Sequence, residues 1–290
     1  MLHRSIKIEE PEYPTILREI QDPPETLFIR GELASLRNKC LSIVGTRKAS
    51  REGMHTAEEF AFSLARLEVT IISGLAAGID AVSHKGALRA GGNTVAVLGT
   101  GIDKIYPAQN QNLAQEIIKS KGAILSEYPP GEPSYKGNFL RRNRIISGLS
   151  SATLVVEAPA RSGSLATARF AAEQGREVFV VPGPHKNFNF AGSHALIRDG
   201  AILTTSPVEL AQDMNWLDVG SKEGTEPQTL YELNPEETIV FETIHREGAS
   251  LKVDKIIELT KLEPRTVNVC LASLIIKELV LEEGTGYKLK

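Results

Sequence analysis

From Cys40 onward, short apolar runs alternate with longer segments in which apolar residues recur at spacings of three and four. That alternation is the sequence form of a parallel sheet covered by helices on both faces. It predicts strands over residues 41–44, 69–73, 94–98, 123–125, 152–156 and 177–181, with a weaker one over 201–204. Helices are predicted between them, over 53–67, 80–89 and 165–174 among others. Right-handed crossovers then make an α/β fold with a doubly wound, mostly parallel sheet.

The pattern changes at both ends. Upstream, Pro11, Pro14, Pro23 and Pro24 forbid a long helix, so residues 1–38 are expected as an extended, proline-rich lead-in packed on the core. Downstream, the polar, glycine-containing stretch 220–227 marks a boundary, placing the main domain at 39–218 and a linker at 219–233. Residues 234–290 predict helices over about 235–246, 251–259 and 263–278. A hairpin follows, from 279–281 through the Gly284-Thr285-Gly286 turn to 287–289. That order is a small C-terminal winged-helix domain.

Composition narrows the classes. At 41% hydrophobic and 24% charged residues, the 290-residue chain has a soluble globular profile. Its apolar runs fall short of the ~20 residues a membrane span needs. The N-terminal residues lack a secretory signal pattern, so the expected location is the cytoplasm. Cys40 and Cys270 sit in apolar surroundings and read as buried thiols, not as a disulfide or metal ligands.

Charge is unevenly placed within the net −3. Residues 225–290 hold 8 basic and 12 acidic side chains, leaving 25 and 24 in residues 1–224. An acidic tail repels a duplex backbone. The winged helix therefore reads as a protein-docking or autoregulatory module in spite of Lys255, Lys261 and Arg265.

The strongest candidate chemistry is in residues 136–144, which put Lys136, Arg141, Arg142 and Arg144 around Phe139 with no carboxylate among them. Cations track phosphates and an aromatic ring stacks unpaired bases. In a doubly wound sheet ligands gather beyond the carboxyl ends of the strands, and there the chain repeats a glycine or serine turn. Gly45-Thr46-Arg47, residues 74–80 beginning at Gly74, Gly99-Thr100-Gly101 and Ser162-Gly163-Ser164 are such turns. Their open backbone and helix N-termini suit anions.

Neither a Walker signature nor the GxGxxG spacing is present, and no cofactor is expected. Asp80 is placed to cap a helix, and His84 lacks partners at metal-ligand spacing, so no metal is expected. Glu157, ending a central strand, is a candidate for positioning the Ser162–Ser164 loop or a cation. His185 and His194 flank an aromatic loop that reads as structural.

Taken together, Gly45-Thr46-Arg47, residues 73–80, residues 139–148, Glu157 with residues 162–165, and Val181-Pro182-Gly183 resemble the DNA-processing protein A (DprA/Smf) family in order and spacing. The resemblance spans about residues 11–213. It implies an extended Rossmann-like core, typically dimeric, in a bacterial cytoplasmic protein that is not an enzyme. Such a protein binds single-stranded DNA in natural transformation, protects incoming DNA and helps load RecA recombinase for homologous recombination. The resemblance implies a DNA site at Arg47, Lys136, Phe139, Arg142 and Arg144; with the turns above, the candidate nucleic-acid site comprises these together with Gly45, Thr46, Gly74, Asn143, Ser162, Gly163 and Ser164. Many members begin with a helical domain, whereas this chain starts almost directly at Tyr13-Pro14.

Two other readings compete. One is a nucleotide-processing enzyme of the Rossmann-like phosphoribohydrolase type with Glu157 or Asp80 as its acid. Against it, the chain has no Pro-Gly-Gly-x-Gly-Thr turn and no nucleophile–base pair. The other is a transcription regulator using the winged helix on duplex DNA, which the acidic tail disfavours.

Overall fold

The apolar runs of residues 40–44, 70–73 and 94–98 are buried at every position, which requires cover on both faces of the sheet they form. A computed structural model describes residues 3–33, 36, 39–217, 233–247, 250–277, 279–284 and 286–289. The chain divides into two compact units, Met1–Val219 and Gly220–Lys290.

In the first unit the elements run β1 (Arg4–Lys7), α1 (Thr15–Arg18), β2 (Thr26–Gly31), β3 (Cys40–Val44), α2 (Arg51–Arg66), β4 (Thr70–Ser73), α3 (Ile79–Arg89), β5 (Thr94–Leu98) and α4 (Gln111–Lys119). They continue with β6 (Ala123–Ser126), α5 (Lys136–Gly148), β7 (Ala152–Val155), α6 (Gly163–Glu173), β8 (Glu177–Val180), α7 (Ala191–Arg198), β9 (Ile202–Leu203) and α8 (Pro207–Asp213). Among the described residues nine strands form one sheet in the order β1-β2-β6-β5-β4-β3-β7-β8-β9. From β6 to β9 every pairing is parallel.

The pleat sorts side chains to the two faces. Leu41 and Ile43 join Phe60 and Leu64 of α2, whereas Cys40 and Val44 join Ile145 and Ile146 of α5. The sheet is thus sandwiched. Its chain path runs outward from β3 to β6 and then returns to β7 on the other side of β3. That reversal opens a crevice beyond the carboxyl ends of β3 and β7.

The N-terminal segment differs from the expected lead-in. β1 and β2 extend the sheet itself, β2 lying antiparallel to β6 with Phe28 opposite Ser126. Pro11, Pro14, Pro23 and Pro24 all fall between these strands, so proline density did not preclude pairing on either side. Tyr13, Leu17 and Ile20 then pack into the layer shared with α5. The Val178–Val181 run is largely interior, with Phe179 and Val180 fully buried in β8.

The second unit contains α9 (Pro235–Glu247), β10 (Leu251–Lys252), α10 (Val253–Thr260), α11 (Pro264–Ile276), β11 (Val280–Glu283) and β12 (Gly286–Leu289). Its sheet is antiparallel in the order β10-β12-β11, giving a winged helix around Val240, Ile256, Leu271 and Leu274. Leu251 and Lys252, expected to start a helix, instead pair with Tyr287 and Gly286. Thr285 of the expected turn, Glu278 at the end of the expected third helix and most of the expected linker, residues 219–232, lie outside the described residues.

Candidate nucleic-acid interface

Beyond the ends of β3 and β4, between α5 and the start of α6, lies a cavity of about 430 Å³. Four chain segments build it. The turn after β3 brings Gly45, Thr46 and Arg47; the β4–α3 turn brings Ala76 and Asp80; α5 brings Lys136, Phe139, Arg142 and Asn143; and the α6 entry brings Arg161, Ser162, Gly163 and Ser164. Gly74 and Arg144 are not part of this lining.

The cations around the cavity are of two kinds. Arg47, Lys136 and Arg161 are exposed. The Arg47 guanidinium carbon lies 5.8 Å from the centroid of the half-buried Phe139 ring, within cation–π range. Arg142 and Arg144 are each only 4% exposed. The Arg142 guanidinium donates to Gly74 O at 2.8 Å, to Val97 O and to Asn143 Oδ1 at 3.2 Å, tying α5 to the ends of β4 and β5. Burial lowers its pKa to about 10, and the nearby Asp80 carboxylate opposes that fall.

Arg144 is committed elsewhere. It makes a two-pronged ion pair with Glu127 at 2.6 and 3.0 Å, donates to Asp22 O at 2.8 Å and pairs with the Asp22 carboxylate at 3.0 Å. These bonds fasten the N-terminal segment to α5. Its expected role as a phosphate contact is therefore replaced by a structural one, because its donors already have acceptors.

Gly74 also changes role. Its N–H donates to Asp80 Oδ2 at 3.1 Å and its carbonyl accepts from Arg142, so neither group faces an anion. Asp80 does not cap its own helix, whose N-cap position is Gly78; its Oδ2 instead holds the Gly74 and Ala76 amides. Burial raises the Asp80 pKa, with Arg142 and these two amides pulling the other way. Thr46 N–H is taken by Glu157 O at 2.7 Å, so what this turn offers a ligand is the Arg47 side chain.

At the α6 entry the hydroxyl of Ser162 caps the helix, accepting from Ser164 N at 3.3 Å and lying 2.7 Å from Ser164 Oγ. Asn143 Nδ2 donates to Gly163 O at 3.1 Å, docking α5 against this entry. The positive end of the α6 dipole thus meets the cavity beside Arg161.

Glu157, fully buried, accepts from Ser50 N at 3.0 Å, from Ser50 Oγ and from Asn189 Nδ2 at 3.3 Å. It steadies the N-terminus of α2 and does not position the Ser162–Ser164 loop. His84 is buried, its Nδ1 donating to Thr94 Oγ1 at 2.7 Å, since that hydroxyl itself donates to Ile71 O. Burial, aided by Arg142, lowers its pKa to about 3. Cys40 and Cys270 are both buried and are not joined in a disulfide.

Sequence reasoning missed Arg161, although it directly precedes the serine–glycine turn at a strand's carboxyl end. It missed Tyr106 as well, whose ring centroid is 5.3 Å from that of Phe139. No helix among the described residues is long and apolar enough to cross a membrane.

Residues 4–215 match the model of the DNA recombination-mediator protein A family. The chain belongs to this family. Among its relatives in the DprA/Smf family, protein Smf of Escherichia coli strain K12 is 47% identical over 214 residues, covering 74% of this chain and 57% of the relative. DNA processing protein DprA of Streptococcus pneumoniae is 45% identical over 194 residues, covering 67% and 68%. The chain thus spans little more than half the length of the Escherichia coli relative. The solved Streptococcus pneumoniae DprA structure superposes with a TM-score of 0.69 at 42% identity, covering 72% of this chain and 74% of that one. DNA processing protein A from Helicobacter pylori, solved for insight into its single-stranded DNA binding mode, gives 0.67 at 28% identity, covering 74% and 96%. The α/β core of this DprA/Smf family member, with its mostly parallel nine-stranded sheet, is the family's fold.

Proposed function

We propose that this DNA recombination-mediator protein A family member binds single-stranded DNA without sequence preference in the cavity between β3, α5 and α6. Arg47, Lys136, Arg161 and the α6 N-terminus hold phosphates, and Phe139 stacks a base. The observation that carries this reading is the Phe139 ring, half-buried at the cavity wall beneath the Arg47 cation. A ring beside cations accepts any base, because every base has a π-face. A duplex keeps its bases stacked inside, so single strands are favoured. The Helicobacter pylori relative's single-stranded DNA binding mode supports the same reading.

On this reading the protein acts without catalysis in the bacterial cytoplasm, as a homodimer that protects incoming DNA during natural transformation and helps load RecA recombinase onto it. The winged helix, with its acidic balance, serves protein docking or autoregulation. Nucleotide hydrolysis finds no support, since the Glu157 and Asp80 carboxylates both accept from backbone amides.

The test is fluorescence anisotropy of a labelled oligonucleotide, single-stranded and as duplex, over a salt series. Phe139→Ala should weaken single-strand binding by about 1–3 kcal/mol. Equal affinity for both forms, or binding indifferent to Phe139→Ala, would refute the reading.

A further inference from the structure

Tyr106 stands next to the cavity without lining it. The residue is 47% exposed, and its ring centroid is 5.3 Å from that of Phe139 with the two planes inclined at 52°. The turn that presents it is well anchored. Ile102 and Ile105 are buried, Thr100 Oγ1 donates to Lys104 O at 2.5 Å, and Asn110 Nδ2 donates to Leu75 O at 2.8 Å just beyond. Gly99 lets Phe139 come against this turn, because a Cβ there would lie 2.9 Å from Phe139 Cδ1. Lys104, two residues before Tyr106, is also exposed. The nearby Asp103 carboxylate accepts from Gly131 N at 3.0 Å and Glu132 is half-buried.

We propose that Tyr106 and Lys104 form a second nucleotide subsite that continues the single strand beyond Phe139. The inference rests on the single-strand reading above. The two rings are too close for a base to enter between them, since stacking on both sides needs about twice the ~3.4 Å base spacing. Each ring therefore offers its outer face, and their inclination splays successive bases apart. Lys104 meets the phosphate next to the base on Tyr106. A lone exposed tyrosine is ordinary on a protein surface; one in ring contact with the base platform, on a buried-anchored turn with a cation beside it, prolongs that platform.

The test is anisotropy with labelled oligothymidylates in a length series from about 4 to about 16 nucleotides, the range of site sizes in single-strand binders. Wild type should tighten along the series. Tyr106→Ala should leave the shortest oligonucleotide unaffected and weaken the longer ones roughly five- to tenfold, with Tyr106→Phe restoring them. Phe139→Ala should weaken every length. A Tyr106→Ala loss equal at all lengths means the ring only props Phe139, and it overturns the subsite, as does no loss at all. Wild type binding at no length removes the single-strand reading, and the subsite with it.

Discussion

The Arg142 guanidinium fills the space beside Gly74: a Cβ at position 74 would lie 2.6 Å from both Arg142 Nη1 and Nη2. The glycine and the arginine are one device, 68 residues apart, by which α5 is bolted to the end of β4 through the Gly74 carbonyl. α5 carries Lys136 and Phe139, so this bolt sets where the Phe139 ring stands.

Removing either half should therefore act through stability. Arg142→Ala leaves the Asp80 carboxylate and two strand-end carbonyls buried without their cation. The expected cost is about 3–5 kcal/mol, read by urea denaturation. Gly74→Ala displaces the same guanidinium and should destabilise in the same direction. A Gly74→Ala protein as stable as wild type would show that Arg142 has another place to go.

The exposed and buried cations should separate in a salt titration. Arg47→Ala, Lys136→Ala and Arg161→Ala should each lower the slope of log affinity against log salt by about 0.7, one single-strand phosphate contact apiece. Arg144→Ala should leave that slope unaltered and lower the melting temperature, because its partners are Glu127 and Asp22. An altered slope for Arg144→Ala would return it to the interface.

His84 makes stability depend on pH. Its folded pKa, about 3, lies below the ordinary 6.5, so between these values the unfolded chain binds the extra proton. Stability from this group is therefore complete above pH 6.5 and is lost as pH falls toward 3. The slope it contributes approaches about 1.4 kcal/mol per pH unit. His84→Asn should be less stable at pH 7 yet show a flatter decline between pH 6 and 4 in urea titrations. A decline as steep as that of wild type would assign the acid sensitivity to other groups.

Glu157 should prove structural. Glu157→Ala strips the acceptor from the Ser50 N–H and hydroxyl and from Asn189, at an expected cost of about 1–3 kcal/mol, followed by thermal denaturation. Release of free base from a nucleoside monophosphate by wild type, abolished in Glu157→Gln, would instead support a nucleotide-processing enzyme.

The local pattern of the chain was enough to place the parallel strands of the core. Apolar runs such as 94–98, flanked by helix-period segments, have few other stable arrangements than a covered sheet, and glycine turns at strand ends mark the ligand side. The basic, phenylalanine-bearing stretch 136–144 likewise stands out by composition as a candidate polyanion site. Tertiary structure decided the rest. Whether β2 joins the sheet depends on its pairing with β6, almost 100 residues later, which no local period encodes. Likewise, four cations within nine residues look alike in sequence, but the helix directs Arg142 and Arg144 inward, to acceptors at Gly74, Val97, Asp22 and Glu127. A buried arginine is defined by distant carbonyls and carboxylates that replace its water, so only the folded chain separates it from the exposed Arg47, Lys136 and Arg161.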